Sequence, residues 1–207
     1  MPAAASRTRQ DNRRAPLLDA AAACFRARGF HASSMREIAT AAEMLPGSVY
    51  YHFESKEALL AAVYGEGVRR ISAAVDAAVD AATGAGGTPR ERLAAACRAH
   101  LETLLDESDY AQVVIRVLPE DVPAAAGELA RHRDAYEARF RALVDALDVP
   151  DGVDRGHLRR FVLGALNWSR HWYRPGADTP AQIADALLGC IAVRRNIARR
   201  STRGARR

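Results

Sequence analysis

The sequence is poor in the residues that build sheets and membrane spans. Aromatic residues make up only 6% of the 207-residue chain, and its apolar content is mostly Ala, Leu and Val. Because Ala and Leu favour helices whereas aromatic and β-branched residues favour strands, this composition predicts an all-α fold. No apolar run reaches the roughly 18 residues that a membrane-spanning helix needs. We therefore expect a cytoplasmic protein with no membrane partner.

Cysteine and lysine are also scarce, and neither forms a recognisable chemical site. The three cysteines, Cys24, Cys97 and Cys190, lie far apart, with no Cys-x-x-Cys pair and no histidine at metal-ligand spacing. We interpret them as buried free thiols and predict neither a metal nor a cofactor. The only lysine is Lys56, so a Gly-Lys phosphate loop is absent, and no strand precedes the glycine-rich residues 83–88. Without an HExxH or GxSxG motif or a carboxylate pair, an enzyme is disfavoured.

The charge of the chain is moderately basic. Its formal net charge is +5 and its isoelectric point is near 9.5. The last fourteen residues, 194–207, contain arginines and no acid, so they suffice to explain the excess. This tail is either a phosphate-seeking arm or a solvated helix end, and we favour the second. Charge by itself does not identify the partner.

Helix starts and stops are clearly marked along the chain. Ser34 with Glu37, and Thr88 with Glu91, form Ser/Thr-x-x-Glu capping boxes. Prolines at 46, 89, 123 and 180 mark first turns, and no segment alternates like a strand. About nine helices are predicted, near residues 11–28, 34–42, 46–52, 55–82, 89–107, 110–118, 123–147, 154–173 and from 180 onward.

Two of these helices, 34–42 and 46–52, are short and joined by a tight turn, as in a helix-turn-helix unit. Such a unit lays its second helix in the major groove of DNA. On that second helix Ser48 and Tyr50 would point outward, whereas Val49 and Phe53 would pack inward. The alternative is that the aromatic cluster forms the core of an ordinary helical bundle. The capping box and the turn spacing favour the DNA-binding interpretation.

Residues 19–60, DAAAACFRARGFHASSMREIATAAEMLPGSVYYHFESKEALL, resemble the DNA-binding domain of TetR-family transcriptional regulators. The shared pattern is F-x-x-x-G-F, a serine-led helix with Ile-Ala, and G-x-x-Y-x-H-F-x-S-K-E-x-L. One departure is the turn, where Ala42-Glu43-Met44-Leu45 replaces the usual A-G-V, which leaves the turn's shape and the first base contact open. The resemblance implies DNA contacts by Ser34, Arg36, Gly47, Ser48, Tyr50, Tyr51, His52 and Lys56.

A second segment, residues 164–188, carries two tryptophans four residues apart. On one helix Trp168 and Trp172 would share a face, which is equally typical of a dimer interface and of a ligand slot. The pattern N-W-x-x-x-W-Y-R-P-G resembles TetR-family regulators of steroid-ring and fatty-acid breakdown, which respond to coenzyme A thioesters. That resemblance implies an apolar acyl slot and phosphate-binding arginines. The candidates are Leu104, Val114, Phe140 and Trp168 for the slot, and Arg116, Arg170 and Arg174 for the phosphates.

The two resemblances together imply a homodimeric repressor that binds a palindromic double-stranded DNA operator and is released by a small-molecule effector. We expect the effector to be an acyl- or steroid-derived coenzyme A thioester. The alternative effector is a planar hydrophobic drug or another metabolite, and the alternative protein class, which the sequence favours much less, is a small helical enzyme. The predicted division is a disordered arm (1–10), a helix-turn-helix domain (11–55), a ligand-binding and dimerisation domain (56–200) and a basic tail (201–207). The linking helix, 56–82, is the expected lever between the two domains.

Overall fold

The computed structural model describes residues 3–106 and 108–191, with side chains from residue 13 onward. The part of the chain that it describes is all-α, as predicted, and holds nine α-helices and no strand. The helices are α1 (Ala3–Ala32), α2 (Met35–Ala41), α3 (Pro46–His52), α4 (Lys56–Gly84), α5 (Pro89–Leu105), α6 (Asp109–Arg116), α7 (Ala126–Asp145), α8 (Arg155–Trp168) and α9 (Pro180–Gly189). Short 3-10 turns occur at Pro119–Asp121 and Ser169–His171.

Two helix starts differ from the sequence prediction. α1 begins at Ala3 and thus includes most of the predicted disordered arm, because Ala, Arg and Gln there extend an existing helix at little cost. α7 begins at Ala126 instead of Pro123, because residues 122–125 form a turn closed by the Ala125 amide and the Val122 carbonyl at 2.9 Å. The basic tail, 201–207, lies outside the described residues. The domain division itself stays a prediction.

Helices α1 to α3 pack around apolar side chains at the N-terminal end of the molecule. Phe25, Ile38, Val49 and Phe53 are buried in one hydrophobic core, as the inward-facing pattern predicts. Gly29 interrupts α1 with a φ of 80°, a left-handed conformation that glycine adopts without strain. That break turns the chain toward α2, whose first turn is closed by the Ser34–Glu37 capping box.

The long α4 connects this N-terminal unit to the remaining helices. It packs against α1 on one side and against α5, α6 and α7 on the other. At Gly67 the approach to α6 is close, since an added Cβ would lie 2.6 Å from Val114 Cγ2. No helix within the described ranges is both long enough and apolar enough to cross a bilayer. The buried apolar side chains form one continuous hydrophobic core from the N-terminal unit to α9.

Candidate DNA interface and ligand cavity

The turn between α2 and α3 has the geometry of a helix-ending Schellman motif. The Met44 amide donates to the Ala39 carbonyl at 2.8 Å, and the Glu43 amide donates to the Thr40 carbonyl at 3.1 Å. Glu43 takes a φ of 54°, the left-handed conformation that costs a non-glycine residue about 1 kcal/mol. The departure from the usual turn sequence thus leaves the helix-turn-helix shape intact.

Helix α3 presents the predicted contact residues to solvent. Tyr50 is 55% exposed and Tyr51 is 71% exposed, although both are large aromatic side chains that ordinarily pack. Gly47 and Ser48 are also exposed. His52 is half-buried, and its ring centroid lies 5.7 Å from that of Tyr51. The bundle-core alternative for this aromatic cluster is therefore wrong.

Two further predicted contacts, the N-cap residue Ser34 and Arg36, lie at the start of α2. Both are exposed. The Ser34 hydroxyl accepts from the Glu37 amide at 3.2 Å and donates to the Glu37 carboxylate at 2.9 Å. The Ser34 amide also donates to this carboxylate at 2.9 Å, and the two bonds to the carboxylate, together with the Arg28 guanidinium, hold the pKa of Glu37 below its usual value. Ser34 is thus engaged in capping, whereas Arg36 carries an exposed positive charge.

Lys56, a predicted phosphate contact, is hydrogen-bonded within the protein. Its ammonium donates to the carbonyl oxygens of Phe30 at 2.8 Å, His31 at 3.4 Å and Ser33 at 2.8 Å. It also lies 4.4 Å from the centroid of the Phe30 ring. These contacts use all three ammonium hydrogens. Lys56 therefore stabilises the turn between α1 and α2, and its contact with a DNA phosphate stays a prediction.

A cavity of about 450 Å³ opens between α4, α5, α6, α7 and α8. Four predicted ligand residues line it, namely Leu104, Val114, Trp168 and Arg170. Most of the remaining wall is apolar and comes from Tyr64, Val68, Ile71, Ile115, Leu118 and Leu163. An apolar wall with a few polar groups is typical of small-molecule sites.

The other three predicted ligand residues do not line this cavity. Phe140 is fully buried behind it and packs on the His100 ring at 5.9 Å between centroids. Arg116 turns to α1, where it donates to the Arg26 carbonyl at 3.3 Å. Arg174 is exposed and donates to the neighbouring Tyr173 carbonyl. The spacing along one helix could not reveal these orientations, because each depends on a partner from elsewhere in the chain.

The predicted helix 154–173 ends early, which separates the two tryptophans. α8 stops at Trp168, and the Ser169 hydroxyl donates to the Leu166 carbonyl at 2.6 Å. A tighter 3-10 turn follows before Trp172. The expectation that Trp168 and Trp172 share one α-helical face is therefore wrong.

Sequence analysis missed five polar residues of the cavity. They are His100 on α5, Arg133, Tyr136 and Glu137 on α7, and Arg160 on α8. A partial signal was available, since His100 and the predicted Leu104 are four residues apart on one helix. Asn167 and His171, two further polar residues outside the predicted ligand set, also line the cavity.

The charges around the cavity favour an anionic ligand. Arg133, Arg160 and Arg170 line it, whereas Glu137 is its one lining carboxylate among the described residues. Burial, and after it the nearby Arg116 guanidinium, lowers the pKa of Arg170. The positive charges of Arg170 and Arg116 repel each other, so an anion near both would lower the free energy of the pair.

One face of α8 leaves large apolar side chains in solvent in the single chain. Phe161 is 71% exposed and Trp168 is 63% exposed. Trp168 also lines the cavity, so its position is compatible with both sequence interpretations, a dimer interface and a ligand slot.

Helix α6 connects the cavity wall to the N-terminal unit. Its Tyr110 hydroxyl donates to the Asp19 carboxylate of α1 at 2.8 Å, and Arg26 of α1 pairs with Asp109 at 2.8 Å. The Arg70 guanidinium of α4 lies 3.9 Å from the centroid of the Tyr110 ring. A shift of α6 would therefore reach α1 directly as well as through α4.

Comparison with known proteins agrees with this architecture. Residues 17–63 match the model of the bacterial regulatory proteins of the tetR family, and residues 86–192 match the tetracyclin repressor-like C-terminal domain. The transcriptional repressor KstR2 of Mycobacterium tuberculosis is 32% identical over 181 residues, which cover 83% of this chain and 86% of that protein. The activator FasR of Mycolicibacterium smegmatis is 29% identical over 190 residues, 90% of this chain and 83% of FasR.

Solved structures give the same picture. The M. tuberculosis KstR2 structure, described as a ketosteroid transcriptional regulator, has a TM-score of 0.63 and 27% identity over 86% of this chain and 94% of that one. AibR, in complex with isovaleryl coenzyme A and operator DNA, shares the fold with a TM-score of 0.72 and 24% identity over 86% of this chain and 97% of AibR. From its helix-turn-helix unit through its C-terminal helices, this chain belongs to the TetR family of bacterial regulatory proteins.

Proposed function

We propose that this protein is a ligand-responsive transcriptional repressor. Two copies bind a palindromic operator, and a coenzyme A thioester in the cavity releases them. The observation that carries the proposal is the connection between two features: α3 exposes Tyr50 and Tyr51 at one end, and α4 and α6 link that end to an arginine-bordered cavity. Because its target would be chromosomal DNA, the protein acts in the cytoplasm.

The DNA end of the molecule uses α3 as the recognition helix. Ser48 and Tyr50 face the major groove, and the exposed Arg36 of α2 neutralises a backbone phosphate. One helix of seven residues makes few base contacts. Two copies placed about 34 Å apart, or a multiple of that spacing, double the contacts and select a palindromic site.

The exposed apolar face of α8 supports the two-chain assembly. Burying Phe161 and Trp168 against a second copy would remove both from water. A symmetric pair also matches the symmetry of a palindrome. We expect Phe161→Asp to give a monomer that binds operator DNA weakly.

The cavity supports an effector with an apolar part and anionic groups. Its apolar wall suits an acyl group, and its three arginines suit phosphates. Two similar structures support such an effector: KstR2 is described as a ketosteroid transcriptional regulator, and AibR is solved with isovaleryl coenzyme A and operator DNA. A planar drug would use the apolar wall and leave the arginines without a partner.

Release requires the effector to prefer the conformation in which α3 is misplaced for DNA. A hundredfold loss of operator affinity needs about 3 kcal/mol of differential binding, and operator DNA weakens effector binding by the same factor. Helix α6 supplies the route, because Val114 lines the cavity while Tyr110 holds α1.

The test is a thermal-shift panel of acyl and steroid-derived coenzyme A thioesters beside planar drugs, followed by operator titrations with each compound that stabilises the protein. We expect thioesters to raise the melting temperature and to weaken binding to DNA from upstream of the protein's own gene. Stabilisation by drugs alone would reject the thioester effector. Failure to bind any upstream DNA, with an intact dimer, would reject the repressor.

FasR, an activator, motivates a second candidate function. A reporter driven by the operator distinguishes the two, since a repressor lowers transcription when bound and an activator raises it.

A further inference from the structure

His100 is a buried histidine in a rigid setting at the cavity wall. It lies on α5 and is 2% exposed. Its ring packs against Tyr136 at 5.8 Å and edge-on against Phe140 at 5.9 Å between centroids. It lines the cavity, so it is placed to contact a ligand there.

The hydrogen bond at Nδ1 determines which ring nitrogen carries the proton. Nδ1 lies 2.6 Å from the Tyr136 hydroxyl oxygen. Burial raises the pKa of Tyr136, so the phenol keeps its proton, and among the described residues Nδ1 is the acceptor that it meets. Burial also lowers the pKa of His100 to about 4, so the ring is neutral at pH 7. With Nδ1 accepting from Tyr136, the single imidazole proton resides on Nε2.

Nε2 is fully buried and has no hydrogen-bond partner among the residues that the structure describes. The Asn167 side chain is close enough to raise the pKa of His100 against the larger effect of burial, yet it makes no bond of good geometry to Nε2. Asn167 lines the same cavity. A buried N–H donor without an acceptor is costly, so a ligand that supplies an oxygen is favoured over one that does not.

We propose that the Nε2–H of His100, with the Asn167 side chain beside it, donates a hydrogen bond to a carbonyl oxygen of the effector. This inference rests on the proposed function and specifies the chemistry of its ligand site. The oxygen has two possible sources: the thioester carbonyl itself, or a keto group farther along the acyl part. Both present the same acceptor to Nε2.

Two matched sets of ligands separate these sources. Octanoyl coenzyme A and S-octyl coenzyme A, a thioether, differ by the thioester carbonyl. The 5-, 6- and 7-oxo derivatives of octanoyl coenzyme A each add one keto oxygen. Dissociation constants are measured by calorimetry for the wild-type dimer and for His100→Leu, which lacks a donor, and His100→Gln, which restores an amide donor. Thr103→Val on the same helix is the control, since the Thr103 hydroxyl bonds the Ala99 carbonyl of its own helix.

We expect one carbonyl-bearing ligand to bind the wild-type protein about tenfold tighter than its partner lacking that oxygen. This ratio should approach one in His100→Leu, recover in part in His100→Gln and persist in Thr103→Val. A preference for octanoyl over S-octyl coenzyme A assigns the thioester carbonyl, and a preference for an oxo derivative assigns the acyl part. Equal affinities throughout the wild-type series would overturn the proposal, as would an unchanged ratio in His100→Leu.

A spectroscopic measurement keeps the inference separate from the choice of effector. In ¹⁵N-histidine-labelled protein, His100 should show a protonated Nε2 whose signal shifts when a carbonyl ligand binds. If no coenzyme A compound binds, the proposed effector fails, and cyclohexanone against methylcyclohexane then tests His100 alone. If the Nε2 signal shifts with cyclohexanone and not with methylcyclohexane, the proposal is supported. Equal shifts with the two compounds reject it. If His100→Leu does not fold, this spectrum of the wild-type protein still tests whether Nε2–H binds a carbonyl oxygen.

Discussion

The hydroxyl of Tyr110 donates a 2.8 Å hydrogen bond to the carboxylate of Asp19, across 91 positions of the chain. It ties α6, one wall of the cavity, to α1, the support of the helix-turn-helix unit. Burial, together with this hydrogen bond, raises the pKa of Tyr110, so the phenol remains a donor at neutral pH. In the proposed function, the direct α6–α1 contact is a second connection between cavity and DNA beside the long α4.

Removing this hydrogen bond should weaken communication between the two ends. In Tyr110→Phe we expect the ratio of operator affinities without and with effector to fall about fivefold, which corresponds to about 1 kcal/mol of coupling. The measurement is a DNA titration by fluorescence anisotropy at zero and saturating effector. Tyr173→Phe, which removes a hydroxyl outside α1 and α6, is the control. An undiminished ratio in Tyr110→Phe would exclude this hydrogen bond from the route and leave α4 and the Arg26–Asp109 ion pair.

Tyr50→Ala should disable DNA binding without unfolding the protein. Tyr50 is more than half exposed, so its loss leaves no cavity in the core. Each base contact contributes about 1–3 kcal/mol, so two symmetric copies predict at least a thirtyfold loss of operator affinity. Gel filtration and the melting temperature check the fold, and Val153→Ala, in the loop before α8, provides an exposed control. Full operator affinity in a folded Tyr50→Ala dimer would contradict the recognition-helix assignment.

Lys56 and Arg36 form a matched pair of cations with different expected roles. Lys56→Met removes three ammonium–carbonyl hydrogen bonds and should lower the melting temperature by roughly 5 °C, or about 2 kcal/mol. Arg36→Met should leave the melting temperature unchanged and reduce the slope of log affinity against log salt by about 2 for the dimer. A reduced salt slope in Lys56→Met, with unchanged stability, would restore the phosphate contact that the sequence predicted.

His100 should make stability depend on pH in the acid range. Its pKa in the folded protein, about 4, lies below the value of about 6.5 for an unfolded histidine. The unfolded chain therefore takes up the proton first, and its uptake lowers the free energy of unfolding between pH 6.5 and pH 4 by about 3 kcal/mol in total. Above pH 6.5 this contribution is fully present. Urea unfolding of wild type and His100→Gln at pH 7 and pH 4.5 measures the difference, and parallel pH profiles would refute it.

Arg170 and Arg174 test whether the cavity recognises phosphate. Arg170 lines the cavity beside other arginines, whereas Arg174 lies outside it in solvent. Arg170→Gln should weaken a coenzyme A thioester about tenfold, the value of one charge-assisted hydrogen bond, and weaken the free acyl acid less. Arg174→Gln should have little effect on either ligand. Calorimetry measures the affinity of both variants for both ligands. An equal loss of thioester affinity in the two variants would show that long-range attraction by positive charge explains phosphate binding without a contact from Arg170.

The local features of the molecule could be predicted from the sequence alone. The capping box at Ser34, the proline starts at Pro46 and Pro180, and the outward Tyr50 with the inward Val49 all follow from hydrogen bonds and periodicity within a few residues. Such signals act over one or two helical turns, so they survive whatever the rest of the chain does. They were sufficient to identify an all-α fold and a DNA-binding unit.

The tertiary structure decided which side chains meet across helices. Lys56 binds carbonyls that lie 23 to 26 positions earlier, and His100 finds Tyr136 on another helix, 36 positions away. Phe140 supports the cavity wall from behind, and Arg116 turns to α1. No local pattern encodes these contacts, because helix packing against the whole core sets the direction and partner of each side chain. The sequence by itself thus determined the helices and the exposed face of α3, and only the packed fold determined the cavity and the atoms that line it.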